Sequence, residues 1–293
     1  MKIPYLVNHR FSVFEGVSKK ILDQVRAFQE LGHKVKIFPL GKIEEGFKIL
    51  SNLELINCYV NSSFKKTFFI NKKLVNEVIK FNPDILYVRY DLWRRSYNLL
   101  FKKYKTIIEI QTNDLAEFKL LANQSFKKKI LYLYFRIFRN RFLSNSDGFI
   151  TVTKELAELS SYKKYKKPIT CIPNGIFLSN YPIIKKISQS NEKVRLFFIG
   201  TSNYPWHGID IIERIAKEIP DYEFHLVGEK KQGETLKNII YYGELNQDNY
   251  IKILEKCQIC ISTLALYRKN MKEACPIKTR EILGLWIPCN SWI

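Results

Sequence analysis

The segment EACPIKTRE, residues 273–281, holds two carboxylates, Glu273 and Glu281, with seven residues between them and a lysine in the interval. Pro276 suits the first position of a helix, where no backbone N–H is required. The N–H groups of Ile277 and Lys278 then stand at the helix N-terminus, where aligned peptide dipoles favour an anion. Lys278 adds a full positive charge. Glu273 falls in the loop before the helix and Glu281 about one and a half turns inside it. Groups in this order can hold a sugar hydroxyl, a diphosphate and a ribose in succession. The plain alternative is a capped helix with solvated charges.

The elements that must position these groups alternate. IPYLV (3–7) reads as a strand, and Val17 to Leu31 as a helix with Ile21, Leu22, Val25 and Phe28 on one face. Gly32 ends that helix. Strands follow over 34–40, 84–90, 106–110, 147–153 and 168–173. Helices fall between them, one capped by Asn71 over 72–81 and one long helical region near 114–143. Residues 174–192 lack periodicity and read as a connector. A second series then runs through strands at 194–200, 222–228, 239–243 and 258–263, with helices near 208–218 and 247–256 and from Pro276. Strand–helix alternation predicts parallel sheets covered on both faces. The expected fold class is therefore α/β with two Rossmann-like domains, 1–178 and 179–293. Ligands are expected at the carboxyl ends of the strands, in the cleft between the domains.

Composition narrows the class further. The chain of 293 residues carries a net charge of +20. Residues 1–180 hold 32 Lys+Arg against 15 Asp+Glu, and residues 181–293 hold 16 against 13, so the excess lies in the N-terminal part. Such a surface attracts anionic membranes, anionic substrates or nucleic acid. No zinc-finger, RNP or helix-turn-helix pattern accompanies the charge, so nucleic acid is not expected as a partner. Residues 126–143, FKKKILYLYFRIFRNRFL, hold six Lys/Arg and no acid among apolar residues. They read as a basic, strongly apolar helix, either for an anionic membrane surface or as a buried helix of the N-terminal domain with a solvated edge. The six cysteines follow no signal peptide, which favours a reduced cytoplasmic setting. Cys257 and Cys260 form a CxxC without a second ligand pair, and read as buried structural thiols. No metal site is expected.

The 273–281 segment resembles the E-x7-E motif of family 4 glycosyltransferases, in the form P-x-K-x-x-E. The resemblance implies a two-domain GT-B fold in which Glu273 meets donor-sugar hydroxyls, Lys278 the diphosphate and Glu281 the nucleotide ribose. CIPNGI (171–176) is similar to a segment near the family's hinge, with Asn174 and Gly175. FFIGTSNYPWHGIDII (197–212) is similar to the family's glycine-ended strand and following loop, with Gly200, His207 and Gly208 on the donor side. Gly228, which ends the next strand, is counted with them. FEGVSKK (14–20) is similar to the Gly-rich loop of the N-terminal domain, through Gly16. ELGHKVKIF (30–38) matches the usual exit of the first helix, so His33 reads as structural.

Two departures follow. The loop TSNYPWHG contains no Lys or Arg, whereas many members bind the diphosphate with both, and His207 stands where the lysine often falls. The strand over 106–110 runs into QTND without the histidine many members carry, so Asn113 and Asp114 become the candidate polar groups near the reacting sugar. The chain also finishes CNSWI where a further strand is expected, which reads as a C-terminal truncation that would cost the donor-site sheet strands. The expected function is retaining transfer of a sugar from a nucleotide-diphosphate sugar to a glycan or lipid-linked acceptor in bacterial surface polysaccharide synthesis. No bound cofactor is expected; the nucleotide sugar is a co-substrate. The alternatives are an inactive nucleotide-sugar-binding remnant and a GT-B-type epimerase.

Overall fold

The structure, a computed structural model, describes residues 1–12, 16–50, 54–181, 193–230, 235–285 and 289–290. The chain divides into two compact units, Met1–Pro173 and Asn174–Ile293. The division falls a few residues ahead of the expected 178/179, so Asn174 and Gly175 belong to the second unit. Most of the expected connector, 182–192, lies outside the described residues.

The first unit runs β1 (Lys2–Val7), α1 (Gly16–Glu30), β2 (Lys34–Pro39), α2 (Glu45–Leu50), α3 (Ser63–Phe68), α4 (Lys72–Phe81), β3 (Leu86–Arg89) and α5 (Arg95–Lys103). It continues with β4 (Thr106–Ile110), α6 (Asp114–Ala122), α7 (Phe126–Ser144), β5 (Gly148–Thr151), α8 (Lys154–Glu158), α9 (Ser160–Lys163) and β6 (Ile169–Cys171). The strands form one sheet in the order β2-β1-β3-β4-β5-β6, every pair parallel. Local chemistry explains the boundaries. The Asn71 side chain accepts from the Leu74 N–H and starts α4, and Leu74 and Val78 then bury one helix face. Gly32 leaves α1 with φ +79, a left-handed conformation that costs glycine nothing. The long helical region near 114–143 is two helices, because Ser125 breaks it and caps α7 through the Lys128 N–H.

The second unit runs β7 (Arg195–Ile199), α10 (Ile209–Glu218), β8 (Glu223–Val227), β9 (Ile239–Gly243), α11 (Gln247–Leu254), β10 (Ile259–Ile261), α12 (Ile277–Gly284) and β11 (Cys289–Asn290). Its sheet is parallel throughout, in the order β11-β10-β7-β8-β9. A short strand follows the motif helix where the sequence reading expected none: Cys289 and Asn290 pair with Cys260 and Ile261. Successive residues of β7 serve opposite faces, as the pleat dictates. Phe197 packs with Leu254, Cys257, Cys260 and Ile282, and Phe198 with Ile209, Ile212 and Leu226. Cys257 and Cys260 are thus core residues, and burial pushes the Cys257 thiol up to about 12.

One polar cluster is built into the first unit's sheet. Glu109 on β4 is buried and accepts from Tyr5 Oη at 2.9 Å, Gln111 Nε2 at 2.9 Å and Lys20 Nζ, with Arg89 Nη1 at 3.4 Å. Burial alone would raise the Glu109 pKa, but the charges of Lys20 and Arg89 outweigh it and hold the carboxyl well below the usual range. Lys20→Met leaves that carboxylate without its main partner. It is expected to destabilise the chain by about 3–5 kcal/mol in urea unfolding, with Lys20→Met/Glu109→Gln recovering a large part.

Candidate functional site

In the second unit, β7 leads by one crossover to β8 on one side, while β10 returns to pair with β7 on the other. The strand order reverses there, and a parallel sheet opens a crevice for ligands beside the carboxyl ends of the two strands at such a point. The loop Thr201–Gly208 leaves β7 at this position, and residues 262–265 leave β10. Three expected residues, Gly200, Gly208 and Gly228, shape the crevice. A Cβ on Gly200 would stand 2.6 Å from the Phe198 ring and 2.8 Å from His207 Nδ1. Gly228 has φ +92, and a Cβ there would lie 2.7 Å from the Gly200 carbonyl oxygen. Gly208, at φ +77, is the residue from which α10 starts.

The motif helix α12 is fixed against β10 by a hydroxyl–hydroxyl hydrogen bond of 2.8 Å between Ser262 and Thr279, both buried. Pro276 is its N-cap rather than its first helical residue, in extended conformation with ψ 137, and no side chain caps the helix start. Proline's restricted φ is compatible with either position, and here the first helical turn begins at Ile277. Lys278 crosses to the end of β7, where Nζ donates to the Ile199 carbonyl and lies 5.6 Å from the centre of the Phe198 ring. Burial of the ammonium lowers its pKa to about 8, against a smaller raising effect from Glu281.

Glu281 is buried and accepts from Tyr181 Oη at 2.6 Å. Glu273 is half-buried in the loop before α12. That loop is tied to Asn174, whose backbone N–H donates to Cys275 Sγ at 3.2 Å and whose Nδ2 donates to the Cys275 carbonyl. Asn174 thus clamps the motif loop, a contact with no signature in the sequence. Gly175 has open space around its Cα.

His207 is half-buried in the β7 loop. Its Nδ1 lies 3.0 Å from both the backbone nitrogen and the carbonyl oxygen of Thr201, and its ring sits among Phe198, Tyr204 and Trp206. Burial first, then Lys278, lowers its pKa to about 3, so the ring is neutral. Beside this loop opens a cavity of about 570 Å³ lined by Asp210, Glu213, Glu229, Lys230 and Arg268 among others. Three carboxylates against two cations make it a poor place for phosphates, and Arg268 is already paired bidentately with Asp210 at 2.9 and 2.6 Å.

The remaining candidates lie in the first unit. Gly16 begins α1 and is exposed with nothing near its Cα; Phe14 and Glu15 of its loop are outside the described residues. Asn113 caps α6, its side chain accepting from the Ala116 N–H at 3.4 Å. Asp114, expected near the reacting sugar, is instead enclosed. Its oxygens accept from Arg139 Nε at 2.6 Å, Arg139 Nη2 at 3.0 Å, Tyr90 Oη at 2.7 Å and the Leu115 N–H at 2.8 Å. Four donors fill the acceptor capacity of a carboxylate that is 1% exposed, so Asp114 holds α6 to α7 and has no oxygen left for a substrate.

Two parallel-sheet units, each with a reversal of strand order, define a protein with the GT-B glycosyltransferase fold. The chain belongs to Glycosyltransferase Family 4, whose sequence model matches residues 14–180. It is a glycosyltransferase of the GT-B type. Solved structures agree at the level of fold. The apo form of the lipopolysaccharide outer core galactosyltransferase WaaB matches with TM-score 0.61 and 14% identity, over 99% of this chain and 80% of its own. Alr3699/HepE of Anabaena, in complex with UDP and glucose, matches with TM-score 0.58 and 14% identity, over 99% and 80%. An alpha-glucosyltransferase in complex with UDP and a 13-mer DNA matches with TM-score 0.64 and 12% identity, over 99% and 79%. That last structure removes support from the expected exclusion of nucleic acid. No curated protein sequence matches the chain.

The two kinds of glycine predict opposite outcomes. Gly228→Ala meets both a positive φ and the Gly200 carbonyl, and should cost about 1–3 kcal/mol. Gly16→Ala, at an unstrained and open helix start, should stay within about 0.5 kcal/mol of the parent. Chemical denaturation of the two variants separates them.

Proposed function

We propose that this chain transfers a sugar, with retention, from a nucleoside-diphosphate sugar to a hydroxyl of a glycan or lipid-linked acceptor in surface polysaccharide synthesis. The second unit takes the donor and the first unit the acceptor. The observation that carries this reading is the half-buried Lys278, whose ammonium donates to the Ile199 carbonyl at the end of β7, where the strand order reverses. In such a site a cation stabilises the departing diphosphate more than it would in water, and it needs no reorganisation as charge develops. The uncapped start of α12 adds backbone donors of the same polarity. Glu281, held by Tyr181, is assigned to the ribose, and Glu273 to the donor sugar. UDP in two of the fold neighbours supports a uridine donor as the first to be tried.

The pKa of Lys278 gives the reading a pH signature. The ammonium must be charged to meet the diphosphate, so affinity is full below about pH 8 and falls as pH rises through that value. Without ligand the sign is opposite: between about 8 and 10.5 the unfolded chain binds more protons, so this lysine adds stability as pH rises. Calorimetric titration with UDP and GDP from pH 7 to 9.5 is expected to show weakening of roughly tenfold or more for the accepted nucleotide. Lys278→Met is expected to bind weakly at every pH, with the dependence gone. Absence of binding to any nucleoside diphosphate would sink the donor assignment.

The acceptor side rests on α7. Phe126, Ile130, Leu133 and Ile137 recur on one helix face and are 77%, 53%, 60% and 71% exposed. Lys127, Lys129, Arg136 and Arg141 are exposed beside them, while Arg139 is withdrawn into the Asp114 pair. Apolar residues flanked by cations match an anionic bilayer surface, where a lipid-linked acceptor resides. No helix among the described residues is long and apolar enough to cross a membrane. Sedimentation with vesicles is expected to carry the chain down when they contain anionic lipid and to leave it in solution when they are zwitterionic. Ile130→Glu/Ile137→Glu should abolish the effect. Binding to duplex DNA that survives this double variant would show the charge to serve nucleic acid instead.

A further inference from the structure

Residues 61–73, NSSFKKTFFINKK, carry four lysines and no acid around the apolar triplet Phe68, Phe69 and Ile70. Basic residues among apolar ones, without acids, also mark α7, and the two segments meet. The Phe68 ring lies 5.7 Å from that of Tyr134 and 6.4 Å from that of Phe138, edge-on to both. Ile130, Tyr134 and Phe138 are spaced by four, and each step of four turns about 40° around a helix. This row starts in the exposed stripe of α7 and turns away from it, so α3 ends against the flank of that stripe. The contact is firmly seated. Phe138 stacks on Trp93 at 4.7 Å, and Tyr134 Oη donates to the Trp93 carbonyl at 2.6 Å.

The turn between α3 and α4 is pinned at both ends. The Phe69 N–H donates to the Lys65 carbonyl at 3.1 Å and closes α3. Asn71 donates from its backbone N–H to Ser96 Oγ at 2.8 Å and from Nδ2 to the Cys58 carbonyl at 2.7 Å, while its side chain starts α4. Between these points Phe68, Phe69 and Ile70 are 38%, 59% and 41% exposed. The backbone thus presents apolar groups outward in a fixed geometry, and little ordering opposes their burial by a partner. Lys65, Lys72 and Lys73 are exposed around them. Lys72 and Lys73 stand in the first turn of α4, and Lys127, Lys128 and Lys129 in the first turn of α7, with no acid in either turn. Cations there oppose the helix dipole, so the fold itself gains nothing from them. An extended negative surface would compensate both turns. Aromatic rings and long lysines beside a polybasic helix match the headgroup region of an anionic bilayer.

We propose that the α3–α4 turn is a second membrane-docking element, which inserts Phe69 and Ile70 into an anionic bilayer beside α7 while Lys65, Lys72 and Lys73 meet the headgroups. The proposal rests on the membrane reading of α7 given above. A single helix lying in the interface can roll about its own axis. A second point of insertion off that axis stops the roll and gives the first unit one orientation to the membrane plane.

The test is sedimentation of the full chain with phosphatidylcholine vesicles, with and without phosphatidylglycerol, at low and high salt. The parent is compared with Phe69→Ser/Ile70→Ser, Lys72→Gln/Lys73→Gln and Ile130→Glu/Ile137→Glu, with the melting temperature of each as a control for folding. Phe69→Ser/Ile70→Ser is expected to lower affinity for the anionic vesicles roughly tenfold or more at both salts. Lys72→Gln/Lys73→Gln is expected to lower it at low salt and to converge on the parent at high salt, where charge is screened. If the first double variant does not fold, Ile70→Ser alone is read in the same way. Parent-like binding by a folded Phe69/Ile70 variant, beside a clear loss in the α7 variant, overturns the second element and leaves the α7 reading intact. A loss confined to the lysine variant overturns insertion as well. A parent chain that does not sediment with anionic vesicles overturns both readings.

Discussion

A parallel strand ends with backbone groups that its neighbours in the sheet do not fully satisfy, and in the second unit that constraint falls on β7. Its last carbonyl, Ile199, is met by the Lys278 ammonium, and the next N–H, on Gly200, is met by Val227 at 2.8 Å. Everything at the site hangs on this closure. Gly200 and Gly228 lack side chains because their backbones approach each other here. The helix that carries Lys278 is locked to β10 by Ser262 and Thr279, and its loop by Asn174. A charge is thereby placed at the strand end, with its pKa lowered by desolvation to about 8 and its position fixed by the strand carbonyl.

The two units treat their buried charges differently. In the first, charges are consumed internally: Glu109 by Lys20, Arg89 and Tyr5, and Asp114 by Arg139 and Tyr90. Such clusters cost desolvation and return it only through near-complete pairing, so they hold elements in register and leave little for a substrate. Removing Arg139 from the solvent face of α7 also leaves that helix more apolar outside than its composition implies. In the second unit, burial first and the charge of Lys278 second keep His207 from taking a proton.

Much of this was legible in the sequence, because it depends on neighbours along the chain. Strand and helix alternation, the Asn71 cap, the Gly32 exit and the break between domains all follow from local propensity and periodicity. The E-x7-E spacing also places Glu273, Lys278 and Glu281 on one loop and helix start, whatever the rest of the fold does. Family membership follows from the order of such segments.

What tertiary structure decided was which charges remain for chemistry. Asp114 and Arg139 are 25 residues apart and meet only because α6 folds back on α7. The sequence shows a carboxylate after a strand, and only the fold shows that its oxygens are spent. His207 has the composition of a ligand and the environment of a wedge. Side-chain identity and spacing are set by the chain, but burial and partner choice are properties of packing between distant segments, and these determine protonation state and availability.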